Sequence, residues 1–415
     1  LDILGSRERI MAIISDELRE VRDAFAVPRR TEISDWSGDM EDEDLIERED
    51  MVVTITSGGY IKRTPLAEFR AQRRGGKGLA SMTTKEDDVV TTLFVANTHT
   101  QLLFFTTDGM VYKLKTSRLP LAGRGAKGKA MVNILPIDSG VSIAALMPVD
   151  VPEDEWDALQ IFFATSDGDV RQNALSDFTN VMRNGKIAMK LPEGVSLVNA
   201  RICDENDDIM LVTAMGRAIR FPTTEVRIFK GRDSTGVRGI RLAGGDRVVS
   251  MSVIRHFEAS PDERAAYLKQ RRLVAGTVED EAEADDDEES VAEGQLSPER
   301  YAEMSAAEDL ILTITVGGQG KTSSSHDYPV RGRGGQGVKA MDSAMRGGDL
   351  VACFPVEIAD QVMLATSTGQ SIRCPVDGIS FRSRSAGGVR VFDTGEDEEV
   401  VSVARIAEGG EDEGE

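Results

Sequence analysis

The sequence predicts an all-β fold of six propeller-like blades. Three observations carry that prediction: a turn that recurs along the chain, a second glycine at a fixed distance from it, and short apolar strands around both. The turn is Thr-x-x-Gly, found at Thr56–Gly59, Thr106–Gly109, Thr165–Gly168, Thr213–Gly216, Thr315–Gly318 and Thr366–Gly369. Successive turn glycines lie 50, 59, 48, 102 and 51 residues apart. The long interval holds an insertion between Ile254 and Asp309, so the copies number six.

Each turn follows an apolar run such as VVTIT, LLFFT or IMLVT and precedes a second short run such as MVYKL or RAIRF. That is the pattern of a hairpin, with glycine supplying the positive φ of a tight turn. The second glycine is Gly78, Gly128, Gly185, Gly236, Gly337 or Gly388, always 17 to 20 residues after the first. Another alternating strand and a final apolar one follow, as in DRVVSMSVI and DLVACFPV. Four strands per unit is the content of a propeller blade. These glycines and apolar strands define the fold and carry no chemistry.

The ordered elements outside the repeats are helical. Residues 6–26 read as a helix, with Ser6 at the cap, Ile10, Ile13, Ile14, Leu18, Val21 and Phe25 as its apolar periodicity, and Pro28 ending it. A second helical stretch, from about Pro261 to Leu273, sits in the insertion ahead of an acidic run and reads as a surface helix with a solvated tail. The chain therefore divides into a helical segment at 1–33, an acidic linker at 34–50, and a repeat domain at 51–407 interrupted by a helical and acidic insertion at 255–308. An acidic tail occupies 408–415. The chain opens on Leu1 within a helical pattern, which predicts that the protein continues upstream.

A net charge of −22 argues at first against a polyanionic partner. Location reverses the argument. Segments 35–50, 279–289 and 408–415 carry −8, −9 and −5, which is the whole of the net charge, so the rest is neutral and free to present a basic face. All three are too poor in apolar residues to fold alone. No stretch approaches the roughly 20 apolar residues that span a bilayer. We expect a soluble, cytoplasmic protein. Cys203, Cys353 and Cys374 are far apart and lack CxxC spacing, which predicts small core residues in place of a disulfide or zinc site.

Catalytic readings fail on the residues. Gly123 to Lys129 has the spacing of a phosphate-binding loop, but Ala130 stands where a magnesium-holding hydroxyl is needed. Gly320-Lys321-Thr322 has the right ending, yet Thr315 replaces the first glycine. His99, His256 and His326 have no metal-ligand spacing, and no nucleophile elbow is present.

The loops carrying the second glycine are basic in every repeat. The first reads Gln72, Arg73, Arg74, Gly75, Gly76, Lys77, Gly78. Its counterparts hold Arg124, Lys127 and Lys129; Arg183 and Lys186; Lys230 and Arg232; Arg331 and Arg333; Arg382 and Arg384. Equivalent loops of a cyclic array lie along one rim, so these cations form an arc suited to a curved phosphate backbone. The interleaved glycines let the main chain approach phosphate oxygens and offer N–H donors. Few aromatics accompany the cations and no recognition helix is evident, which disfavours single-strand stacking and major-groove readout. Sequence-tolerant contact with bent duplex DNA is the remaining mode.

The heptad QRRGGKG at 72–78 resembles the gyrase A box, the signature of the C-terminal region of bacterial DNA gyrase A subunits. RRTEI at Arg29–Ile33 and GRGGQG at Gly332–Gly337 extend the resemblance over nearly the whole chain. It implies a β-pinwheel whose blades exchange strands, wrapping DNA with positive handedness about its rim. The box would clamp the wrap, with Arg73, Arg74 and Lys77 on phosphates. It further implies an A2B2 holoenzyme that brings in the B subunit, plus a second A subunit, where ATP and magnesium act while this chain binds no cofactor itself. The strand-cutting tyrosine of the family would lie upstream of Leu1. The tail from Glu408 would be either a DNA mimic that competes for the rim or a solubilising tail. The A chain of a topoisomerase IV has the same repeats with a degraded or missing box, and a propeller scaffold that binds proteins would lack ordered rim cations.

Overall fold

Five of the six Thr-x-x-Gly turns are built by one set of bonds. The glycine N–H donates to the threonine carbonyl, at 3.0 Å in Thr56–Gly59 and 2.9 Å in Thr106–Gly109. The buried threonine hydroxyl then accepts the next N–H, from Tyr60, Met110, Asp169, Arg217 or Gln319, at 3.1 to 3.2 Å. The glycines take φ between +73° and +88°, which explains their fixed place. The computed structural model of the chain describes residues 3–27, 46–56, 58–68, 90–123, 125–138, 140–231, 234–275, 295–341, 347–367, 371–395 and 398–406.

Each hairpin belongs to an antiparallel blade. Blade one joins the hairpin Asp50–Thr56 and Tyr60–Pro65 to the strand Val90–Asn97. Its fourth strand, Lys129–Ala130, comes from the next repeat and pairs with Tyr60 and Ile61. The same exchange recurs down the chain: Lys186–Ile187 completes blade two, Val237–Arg238 blade three, Val338–Lys339 blade four and Val389–Arg390 blade five. Blade six shows three described strands, Gln361–Thr366, Ser371–Pro375 and Val400–Ile406. The loop of repeat one that corresponds to the exchanged segments lies outside the described residues. The expected six-bladed pinwheel of four-stranded sheets is thus the observed fold, with the fourth strand of each completed blade supplied by its neighbour.

The two glycines of the sequence pattern meet in this exchange. The carbonyl of turn glycines Gly59, Gly109, Gly168, Gly216 and Gly318 accepts an N–H just beyond the exchanged strand, from Met131, Ala188, Gly239, Ala340 and Val391. A Cβ at Gly128, Gly236 or Gly337 would stand 2.3 to 2.5 Å from a carbonyl oxygen of the preceding hairpin. The second glycine therefore lets one repeat lie directly on the blade before it.

Apolar cores fill the spaces between successive sheets. Between blades two and three, Phe105, Phe163, Phe178 and Trp156 are fully buried, and Phe105 meets Phe163 edge-on at 5.4 Å. The strands nearest the axis are the third of each repeat. Those of blades two to six are consecutive neighbours, and Val400–Ile406 of blade six runs beside Val90–Asn97 of blade one, closing the circle. Since each sheet runs from this inner strand through the hairpin to the exchanged strand, the exchanged strands and the loops leading into them form the outer rim. Cys203 and Cys353 are buried and Cys374 half-buried, all as free thiols. Burial pushes the Cys203 thiol up to about 12 and that of Cys353 to about 11. They are core residues, as the sequence suggested.

The insertion departs from its expected form. It contains two helices, Pro261–Ala275 and Pro298–Ala306, and they are packed. Tyr267 is fully buried, with ring centroids 5.1 Å from both Tyr301 and His326. His326 Nε2 donates to the Met304 carbonyl at 2.8 Å. Arg300 bonds Glu263 at 2.8 Å and lies over Phe257. The surface-helix reading is corrected: an aromatic pair separated by 34 residues of sequence closes on a histidine of blade five. The acidic run at 279–289, the linker at 34–45, RRTEI at 29–33 and the tail at 408–415 lie outside the described residues.

The helix Arg7–Phe25 belongs to a separate unit, Leu1–Ile46. Ser6 occupies its N-cap position with extended backbone but makes no side-chain cap bond. Ile13, Ile14, Leu18, Val21 and Phe25 are exposed. No helix of the described residues is long and apolar enough to cross a membrane.

Candidate nucleic-acid interface

The rim loops carry the cations that the sequence singled out, and their exposure divides them. Lys129, Arg183, Lys230, Arg331 and Arg333 are exposed, while Lys127, Lys186 and Arg382 are half-buried. Lys127 Nζ sits 3.7 Å above the Tyr60 ring of the preceding blade, a cation–π contact that fixes the loop to its neighbour. Lys186 donates to the Asp177 carbonyl at 3.1 Å. Arg333 donates to the Glu225 and Arg238 carbonyls at 3.0 and 3.1 Å. Gln72 to Gly78, Arg124 and Arg232 lie outside the described residues.

Arg384 is a correction. It is 3% exposed, and its guanidinium donates to the Asp327 carbonyl at 2.8 Å and to the Lys339 carbonyl. Its own N–H donates to the Asp327 carboxylate at 2.6 Å. Arg384 therefore fastens the loop of repeat six to blade five and offers no guanidinium to a ligand.

The phosphate-loop look-alikes also resolve structurally. Gly320-Lys321-Thr322 lies inside the strand Gln319–Ser324, not at a strand-to-helix turn. Gly123 to Lys129 leads into the exchanged strand at Lys129–Ala130.

Sequence reasoning missed a set of buried cations under the rim. Lys62, Arg171 and Lys321 stand on second hairpin strands and are 0%, 1% and 0% exposed. Lys62 donates to the Gly123 carbonyl at 3.2 Å. Arg171 donates to the carbonyls of Ser234, at 2.6 Å, and Gly231. Lys321 donates to those of Ser383 at 2.8 Å, Ala386 at 2.6 Å and Arg384. Burial pulls the Lys321 ammonium down to about 7 and lowers Lys62 as well. The available signal was a cation three residues after the turn glycine in alternate repeats, a position that reads as solvent-facing on an amphipathic strand.

A cyclic array of strand-exchanged blades with a cation-bearing rim is a β-pinwheel repeat protein, defined by the exchange as much as by the blade count. The family described as "DNA gyrase C-terminal domain, beta-propeller" matches residues 50–97, 100–150, 160–204, 207–255, 309–357 and 360–407, one match per repeat, and the chain belongs to that family. The DNA gyrase A protein of Granulibacter bethesdensis is 48% identical over 419 residues, covering 98% of this chain and 45% of the relative. That of Rickettsia bellii is 43% identical over 99% of the chain and again 45% of its own length, so the chain spans just under half of these relatives. Among solved structures, a topoisomerase IV C-terminal domain superposes with a TM-score of 0.63 at 22% identity, covering 87% of this chain and 94% of that one. A gyrase A C-terminal domain superposes with a TM-score of 0.59 at 19% identity, covering 86% and 100%. These two likenesses support the fold.

Proposed function

We propose that this chain binds duplex DNA along its outer rim and wraps it with positive handedness, so that the gyrase holoenzyme introduces negative supercoils. The observation that carries the reading is the recurrence of Lys129, Arg183, Lys230, Arg331 and Arg333, all exposed, on equivalent loops at the outer edges of consecutive blades. Bending a site of a few helical turns costs on the order of several kcal/mol, which many phosphate contacts offset. The heptad at 72–78 is the first repeat's copy of these basic loops, and in this reading it is the clamp of the wrap. There Arg73, Arg74 and Lys77 would clamp an end of the wrap, with Gln72, Gly75, Gly76 and Gly78 shaping the loop.

Strand cutting, ATP and magnesium belong in this reading to the rest of an A2B2 assembly, formed with a second A subunit plus the B subunit, on the nucleoid in the cytoplasm. A duplex labelled at both ends tests the wrap. Adding the chain should raise energy transfer between the ends, and alanine at Arg73, Arg74 and Lys77 should remove the rise. Tight binding without any approach of the ends would refute wrapping.

A further inference from the structure

In repeats two, four, five and six the chain enters its rim loop through two apolar residues spaced by one, and the core uses only the first. The pairs are Leu119 and Leu121, Val226 and Ile228, Tyr328 and Val330, and Ile379 and Phe381. Leu119, Val226, Tyr328 and Ile379 are buried in the cores between neighbouring blades. The second members share one register. Leu121, Ile228, Val330 and Phe381 each form a parallel bridge to the residue four past the turn glycine of the preceding blade, namely Arg63, Gln172, Arg220 and Thr322. The backbone thus fixes their place, yet Leu121, Ile228 and Val330 are 61%, 48% and 38% exposed.

An aliphatic side chain held in water contributes little to the fold, because its stabilisation comes from leaving water. These side chains stand among cations. Ile228 lies between exposed Arg227 and, past the inward Phe229, exposed Lys230. Val330 precedes exposed Arg331, and Leu121 follows exposed Arg118 by three residues. In repeat three, Met182 is exposed beside exposed Arg183. The copy in repeat six has a cover from the chain itself: the Arg271 guanidinium of the insertion lies 4.8 Å from the Phe381 ring centre, and Phe381 is half-buried. The same position therefore accepts a cover where one is supplied. A duplex backbone matches such a surface, since its charged phosphates alternate with sugars whose C–H edges are apolar. The cations suit the first and the aliphatic groups the second. Every nucleotide carries the same sugar, so this contact reads no sequence, as expected of a rim without a recognition helix.

We infer that Leu121, Ile228 and Val330, joined by Met182 in repeat three, are the contacts of the rim with the deoxyribose carbons of bound duplex DNA, set between the phosphates that the flanking cations take. An aliphatic group against a sugar removes water from both and adds affinity that salt does not screen, whereas the contribution of a cation falls as salt rises. The rim then holds DNA by two components, one dependent on salt and one not. This rests on the DNA-binding reading above and deepens it.

The test measures the affinity of the full chain for one linear duplex at several salt concentrations. Leu121→Ser, Ile228→Ser and Val330→Ser should each weaken binding by about three- to tenfold at every salt, with the slope of log affinity against log salt unchanged. Arg183→Gln and Lys230→Gln should instead lower that slope by about one, the signature of a lost phosphate contact. Leu121→Met and Ile228→Leu should keep the wild-type affinity. Ile358→Ser removes an exposed aliphatic group between the strands Leu350–Val356 and Gln361–Thr366, away from the rim loops, and should change neither quantity. Unchanged affinity in the three rim serine variants overturns the sugar contact while leaving DNA binding intact, and so does a loss that appears as a change of slope. Should a serine variant fail to fold, a photoreactive leucine analogue placed singly at 121 decides: crosslinking to the DNA strand supports the contact, and its absence under saturating binding overturns it. A wild-type chain that binds no DNA refutes the broader reading as well.

Discussion

Arg220 in blade four and Lys321 in blade five are both buried cations on second hairpin strands, but their charges are handled differently. Arg220 is bonded to Asp208 at 2.8 Å, with His256 Nδ1 on the other carboxylate oxygen at 2.8 Å. Lys321 donates to three carbonyls of the loop that crosses it. A buried ion pair is internally neutral and costly to break from either side. A cation ringed by carbonyl dipoles is only partly relieved of its burial cost, which pulls the Lys321 ammonium down to about 7. The two cations stand one position apart in the hairpin register, on opposite faces of their strands, so that one locks a blade to its own acid and the other fastens the next repeat's loop.

The largest effect that would sharpen this contrast is Asp208→Asn. It leaves Arg220 buried without its carboxylate and should cost about 3–5 kcal/mol in urea unfolding, while the DNA affinity of the folded fraction stays unchanged. A fall in affinity at constant folded fraction would break the division of roles. Next come the second glycines of adjacent loops. A Cβ at Gly337 would lie 2.3 Å from the Ala218 oxygen, and one at Gly388 would lie 2.7 Å from the Gly320 nitrogen. Alanine at either should destabilise by roughly 1–3 kcal/mol. Either should also weaken DNA binding at fixed salt, because both loops carry rim cations, Arg331 and Arg333 in one and Arg382 in the other.

Lys321→Met removes three donor bonds but also relieves a buried charge, so its stability cost should be smaller, about 1 kcal/mol. A dependence on pH accompanies it. The Lys321 ammonium is held near 7 in the fold against its ordinary 10.5. Between those values the unfolded chain binds more protons, so stability should rise with pH across that window. The three carbonyls favour the protonated amine and limit the rise, and Lys321→Met should flatten it. Thermal unfolding from pH 6.5 to 10 checks the sign.

The sequence made the repeat legible because its markers are backbone requirements. A threonine that accepts a main-chain N–H and a glycine with positive φ recur wherever the hairpin does. Strand exchange was legible only through the family resemblance, since a two-residue strand such as Lys129–Ala130 has no periodicity of its own. The rim cations were readable as a class. Arg384 was misread because loop position cannot distinguish an arginine that faces solvent from one folded back on Asp327. Lys62, Arg171 and Lys321 were invisible for the opposite reason: a cation on a short hairpin strand looks solvent-facing until another repeat covers it. The insertion hid its packing in the same way, because Tyr267 and Tyr301 flank an acidic run and meet only in three dimensions.

The central claim is that the rim wraps DNA with a defined hand. The most direct measurement binds the chain to relaxed closed circular DNA, relaxes the complex with a type I topoisomerase, and reads the topoisomers after the protein is removed. Positive linking-number shifts in proportion to bound chain are predicted. Topoisomers centred where they began, at saturating protein and low salt, would contradict the account.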